Sequence, residues 1–166
     1  MTKIAFKGDP INTSGALPKV GSTPPDFTLV DGKLSEVKLS DFKGKNVILN
    51  IFPSLDTDVC AKSVRSFNEK VGALDNTVVL AISSDLPFAS NRFCSTEGIK
   101  NTTALSVFRN ESFAKDYGVL LVDGPMKGLT ARAVVIINSE GKVIYNELVP
   151  EITQEPDYNS AIDSIV

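Results

Sequence analysis

Apolar and polar positions along this chain fall into two periods. Asn46–Phe52 and Thr77–Ser83 are short, largely apolar runs, the pattern of strands covered on both faces, as central parallel strands are. Between them Ala61, Val64, Asn68 and Val71, with Phe67 and Leu74 beside them, recur at three- and four-residue steps. That spacing predicts a helix after the strand that Pro53 ends, its start capped by Asp56 or Thr57. Pro87–Glu97 predicts a second, short helix, opened by its proline and stopped by Gly98. Phe113–Gly118 reads as a helix end. Ala131–Asn138 and Lys142–Val149 read as a hairpin about Ser139-Glu140-Gly141, and Asp157–Ile165 as a terminal helix. Upstream, Ile4–Phe6, Phe27–Val30 and Val37–Leu39 are β-type pieces separated by turn formers at Gly8-Asp9-Pro10, Thr23-Pro24-Pro25 and Asp31-Gly32. They predict hairpins at the edge of a domain.

The order strand, helix, strand, helix, hairpin, helix is that of a thioredoxin-like α/β fold: a mixed central sheet flanked by helices, here with an N-terminal β-hairpin extension. With 166 residues and no repeat, low-complexity tract or linker, the expectation is one domain over 1–166. The 42% hydrophobic and 22% charged residues and a mean hydropathy of +0.05 fit a globular chain. Acidic residues outnumber basic ones, 20 to 17, which argues against nucleic acid or an anionic membrane surface as a partner. Met1–Pro10 lacks the apolar stretch of an export signal, and no later run approaches the ~20 apolar residues of a membrane span. A soluble cytoplasmic protein is expected, in which sequons beginning at Asn12, Asn101 and Asn110 are coincidental.

Histidine is absent, which removes Ser-His-Asp and Cys-His catalysis, HExxH zinc sites and histidine bases. No phosphate loop or dinucleotide fingerprint occurs. The two cysteines, Cys60 and Cys94, are too few for a structural zinc site or a disulfide scaffold, and are either core fillers or a redox pair. Cys60 falls in the first turn of the first predicted helix, beyond the carboxyl end of a central strand, where open α/β sheets bind ligands. The positive helix terminus favours thiolate there, whereas Asp56 and Asp58 oppose it, so a cation is needed. Arg132, alone in the otherwise uncharged run Leu129–Asn138, suits that role better than Arg65; a buried arginine needs an anion, and its forked donors match a thiolate beside an oxygen. Thr57 lies one helical step before Cys60, and Pro53 would shield the site from water. Spacing alone equally allows Cys60, Val64, Phe67 and Val71 as a plain core stripe, Thr57 as a simple N-cap, Pro53 as a strand terminator and Arg132 as an ion-pair residue. Cys94 has Ser90, Asn91, Glu97 and Gly98 as helical neighbours, so it should lie near a polar face. No Cys-x-x-Cys is present.

Pro53, Thr57 and Cys60 form the pattern Pro-x-x-x-Thr-x-x-Cys, which resembles the signature of the peroxiredoxins. The stretches Pro53–Thr57, Ser63–Asn68, Arg92-Phe93-Cys94, Gly128–Ala133 and Glu151–Tyr158 resemble the bacterial thiol peroxidase subfamily over nearly the whole chain. The resemblance implies a thioredoxin fold and reduction of hydrogen peroxide and organic hydroperoxides, with Cys60 as peroxidatic nucleophile. It further implies that Thr57 and Arg132 hold the peroxide, and that Cys94 resolves the sulfenic acid as an intramolecular disulfide after local opening. Recycling by thioredoxin, a homodimer and independence from metal, haem or flavin are also implied. A thiol-disulfide oxidoreductase without peroxide chemistry and a non-catalytic binding domain are the competing readings.

Overall fold

A computed structural model describes residues 1–166. Three parallel strands form its centre: β5 (Asn46–Ile51), β6 (Thr77–Ser83) and β7 (Thr102–Ser106), with β5 paired to β6 and β6 to β7. The connections are α1 (Asp58–Val71) and α2 (Pro87–Glu97). Antiparallel strands extend both sides, β8 (Ala133–Ile137) and β9 (Val143–Leu148) beyond β5, and β3 (Thr28–Asp31) and β4 (Glu36–Lys38) beyond β7. The seven-stranded order is β4-β3-β7-β6-β5-β8-β9. A separate two-stranded sheet joins β1 (Thr2–Phe6) to β2 (Asp9–Thr13). Two short helices complete the chain, α3 (Phe113–Asp116) and α4 (Tyr158–Asp163). No helix is long and apolar enough to cross a membrane.

The expected mixed sheet flanked by helices and the N-terminal hairpin are thus present, with two additions. Asp9–Thr13, of which Asp9 and Pro10 were expected as turn formers, is β2: Lys7 and Gly8 carry the turn at φ +52° and +86°, and Pro10 sits on a two-stranded edge where a missing N–H is tolerated. The second addition, β7, is a mostly polar segment, Thr-Thr-Ala-Leu-Ser, that becomes a strand because β6 and β3 supply partners on both sides.

The pleat divides the core. Val47, Leu49 and Ile51 of β5 join Ala133, Val135 and Ile137 of β8 on one face, packed with Ile4, Ile11, Phe27, Phe113 and Tyr117. Ile48 faces the other way with Val134 and Ile136, against Phe67 and Val71 of α1 and Ala161 of α4. Phe67 and Tyr158 meet edge to face at 5.1 Å, which docks α4 on α1. A third cluster, Phe52, Leu55, Cys60, Val64 and Ala81, lies where α1 begins, with Phe93 of α2 against it.

Candidate active site

The carboxyl end of β5 turns at buried Pro53 into a loop that starts α1 at Asp58. Thr57 occupies the N-cap position with extended backbone, yet its side chain makes no cap bond; its hydroxyl donates to the Ser54 carbonyl at 3.1 Å. It is exposed one turn before Cys60 and is not hydrogen-bonded to the sulfur's surroundings.

Cys60 is fully buried on the α1 stripe that also carries Val64, Phe67 and Val71. The stripe explains the burial, and β8 supplies what the stripe alone does not. Arg132 precedes β8 and shares the parity of Val134 and Ile136, so the pleat aims it at α1. It is 1% exposed, and its Nη2 donates to Cys60 Sγ at 3.2 Å. Its Nε donates to the Ile152 carbonyl at 2.7 Å, while Nη1 is buried without a partner. A buried guanidinium is costly unless polar groups meet it, and the Cys60 sulfur and the Ile152 carbonyl are the groups that meet it here. Asp56 and Asp58 point to solvent, and Arg92 approaches Asp56 at 4.0 Å, so their opposing field is weak. Arg65 is not in the site; it pairs with Glu97 of α2 at 3.4 Å.

Cys94 is half-buried on α2 and is not bonded to Cys60; both cysteines are free. Burial pushes its thiol above the usual range, so it rests protonated. Its neighbour Phe93 packs on the Cys60 cluster, and Arg92 and Glu97 pair with groups of the loop before α1 and of α1 itself. The structure therefore brings Cys60 and Arg132 together, buries Pro53 where β5 ends, leaves Thr57 exposed just before α1 and keeps Cys94 on an adjoining helix.

Several supporting groups carry little sequence signal, because each joins segments that periodicity does not relate. Asp85, between β6 and α2, accepts from Ser54 Oγ, Leu55 N–H and Ser83 Oγ, each at 2.7 Å, fastening the loop before α1 to the segment that leads into the Cys94 helix. Asn50 donates to Ser63 Oγ at 3.2 Å, and Ser63 donates to the Cys60 carbonyl at 2.8 Å, all within the core. An uninterrupted strand pattern with one Asn at its centre is the only hint the sequence holds of this chain of bonds.

Residues 19–162 match the Redoxin family, and the chain belongs to that family. The thiol peroxidase of Mycobacterium tuberculosis is 53% identical over 165 residues, 99% of each chain. A solved peroxiredoxin-like protein from Aquifex aeolicus superposes with a TM-score of 0.92 at 40% identity, covering 98% of this chain and 95% of that one. A thiol peroxidase from Chromobacterium violaceum, at 23% identity, shares the fold with a TM-score of 0.90 over 97% of this chain and 93% of its own. Family and site chemistry together make the chain a peroxiredoxin-type oxidoreductase.

Proposed function

We propose that the protein is a thiol-dependent peroxidase acting on hydrogen peroxide and organic hydroperoxides through Cys60. The observation that carries this reading is the buried guanidinium of Arg132, which touches the Cys60 sulfur through Nη2 and keeps Nη1 unpartnered beside it. An unpartnered buried donor costs about 1–3 kcal/mol, and a peroxide oxygen arriving next to the sulfur would satisfy it. The thiolate attacks one peroxide oxygen: an S–O bond forms, the O–O bond breaks, and the departing oxygen leaves as water or an alcohol once protonated. Cys60 becomes a sulfenic acid, oxidised by two electrons as the peroxide is reduced. Arg132 and the helix-start N–H groups stabilise the negative charge on the departing oxygen, and Thr57, at the rim, turns its hydroxyl towards the substrate. Pro53 keeps water from the sulfur.

Cys94 then attacks the sulfenic sulfur, forming an S–S bond and releasing the hydroxyl as water. Burial keeps Cys94 protonated until α2 opens, which orders the steps: Cys60 reacts first. Thioredoxin returns the disulfide to two thiols, and a cytoplasmic setting suits a cysteine that must start reduced. The homodimer expected from the resemblance is part of this reading, and sedimentation equilibrium measures it.

The test is NADPH consumption with thioredoxin, its reductase and cumene hydroperoxide. Turnover by the wild type, none by Cys60→Ser and loss of recycling by Cys94→Ser are expected. A wild type that neither turns over nor forms a Cys60 sulfenate in a single turnover overturns the reading.

A further inference from the structure

Arg132 has two protein contacts through its guanidinium, the Cys60 sulfur and the Ile152 carbonyl. The first is the reacting atom and changes during the reaction, so the second is the fixed bearing of the group. Ile152 lies in a strap after β9, and two connections hold that strap. Its backbone lies alongside β1 as a short parallel bridge: Ala5 N–H donates to the Pro150 carbonyl at 2.8 Å and Ile152 N–H to the Ala5 carbonyl at 2.9 Å. The other connection is the Glu151 carboxylate. One oxygen accepts Gly8 N–H at 2.8 Å; the other accepts Lys7 N–H at 3.2 Å, Thr153 N–H at 3.0 Å and Thr153 Oγ1 at 2.9 Å.

Four donors on one surface carboxylate are more than a turn requires. They come from two sources far apart in sequence, the tip of the N-terminal hairpin and the residue after Ile152, and they converge one residue from the carbonyl that holds Arg132. We infer that Glu151 is a positioning residue: by joining the Lys7–Gly8 turn to the 150–153 strap it fixes the Ile152 carbonyl and so aims Arg132 at Cys60. On this inference, which rests on the peroxidase reading above, the N-terminal hairpin serves the site although none of its residues touches the sulfur. Misplacing a reacting or orienting group by an ångström costs up to about a hundredfold in rate, so a loosened bearing has a measurable consequence.

The test uses full-length protein carrying Cys94→Ser, so that oxidation stops at the sulfenate. The rate constants for Cys60 oxidation by hydrogen peroxide and for Cys60 alkylation by iodoacetamide are measured with and without Glu151→Ala, in both Arg132 and Arg132→Met backgrounds. With Arg132 present, Glu151→Ala is expected to slow both reactions about tenfold, with a smaller loss for Thr153→Val. With Arg132→Met, it should change them less than about twofold, because an effect that passes through Arg132 vanishes when Arg132 is gone. Equal slowing in both backgrounds marks a merely structural role and overturns the inference, as does an unaltered rate beside intact Arg132. If the Glu151 parent shows no peroxide reaction, the peroxidase reading fails, and the alkylation rates alone still decide whether Glu151 governs the Arg132–Cys60 contact.

Discussion

Arg132 carries its guanidinium to the buried cluster of Phe52, Cys60, Val64 and Ala81, where the Cys60 sulfur and the Ile152 carbonyl are its protein partners. Stability and chemistry therefore pull apart at this residue. Replacing a buried ion by an apolar side chain of similar volume is often neutral or stabilising, even though here the Ile152 carbonyl loses its donor. Arg132→Met should accordingly melt within a few degrees of the wild type. The rate of Cys60 oxidation should fall by about 10²–10³, the usual loss when one preorganised donor to a developing oxyanion is removed. Stopped-flow kinetics and calorimetry on the same sample check both halves. A variant that unfolds while its oxidation rate stays put would mean that Arg132 is there for structure.

Among the elements, α2 is the piece that must move if Cys94 is to reach Cys60. Its outer end is held by two surface ion pairs, worth little in salt, and by Phe93 against the Cys60 cluster, while Pro87 and Ser90 anchor its first turns in the core. The helix ends at Gly98 in the left-handed region, a stop that leaves the following segment free to turn. Phe93→Ala should cost about 2 kcal/mol, less than a fully buried phenylalanine, and should speed the step from Cys60 sulfenate to disulfide, since the helix opens more readily. Denaturant melts and quenched-flow trapping of the disulfide measure the two; slower closure would show that Phe93 guides α2 rather than restrains it. Much of this element plan was legible beforehand. The stripe Cys60, Val64, Phe67 and Val71 needs only the helical period, and β6 and α2 were read to their ends because an apolar run and a Pro-to-Gly frame are local signals. Strands β2 and β7 were not, one hidden by Pro10 and the other by its polar residues, and both exist through partners distant in sequence. The site divides the same way. Arg132 was visible as a lone cation in an apolar run, whereas Asp85, Asn50 and Glu151 act through hydrogen bonds between different elements, which no periodicity records.

Across the whole molecule, surface carboxylates close the ends of the chain. Besides Glu151, Asp123 accepts from the side chain and backbone N–H of Asn12, both at 2.8 Å, tying β2 to the loop after Leu121, and Asp157 caps α4 through Ser160. Each carboxyl is held below its usual range: Asp123 by the Asn12 side chain and then its backbone, Asp157 by the Ser160 side chain and backbone, Glu151 by the Thr153 and Gly8 N–H groups, down to about 2. A carboxyl depressed in the folded state contributes stability above its unfolded value, and that contribution is lost as pH falls through the folded one. For Glu151 the window runs from 4.5 down to about 2. Acid should therefore loosen the hairpin and the strap together. Glu151→Gln should melt below the wild type at neutral pH, and the gap between the two melting curves should narrow steadily through that window and close near its lower end. A gap independent of pH would mean that the carboxylate's charge is irrelevant to its hold on the Lys7–Gly8 turn, leaving shape alone to join the hairpin to the strap behind Arg132.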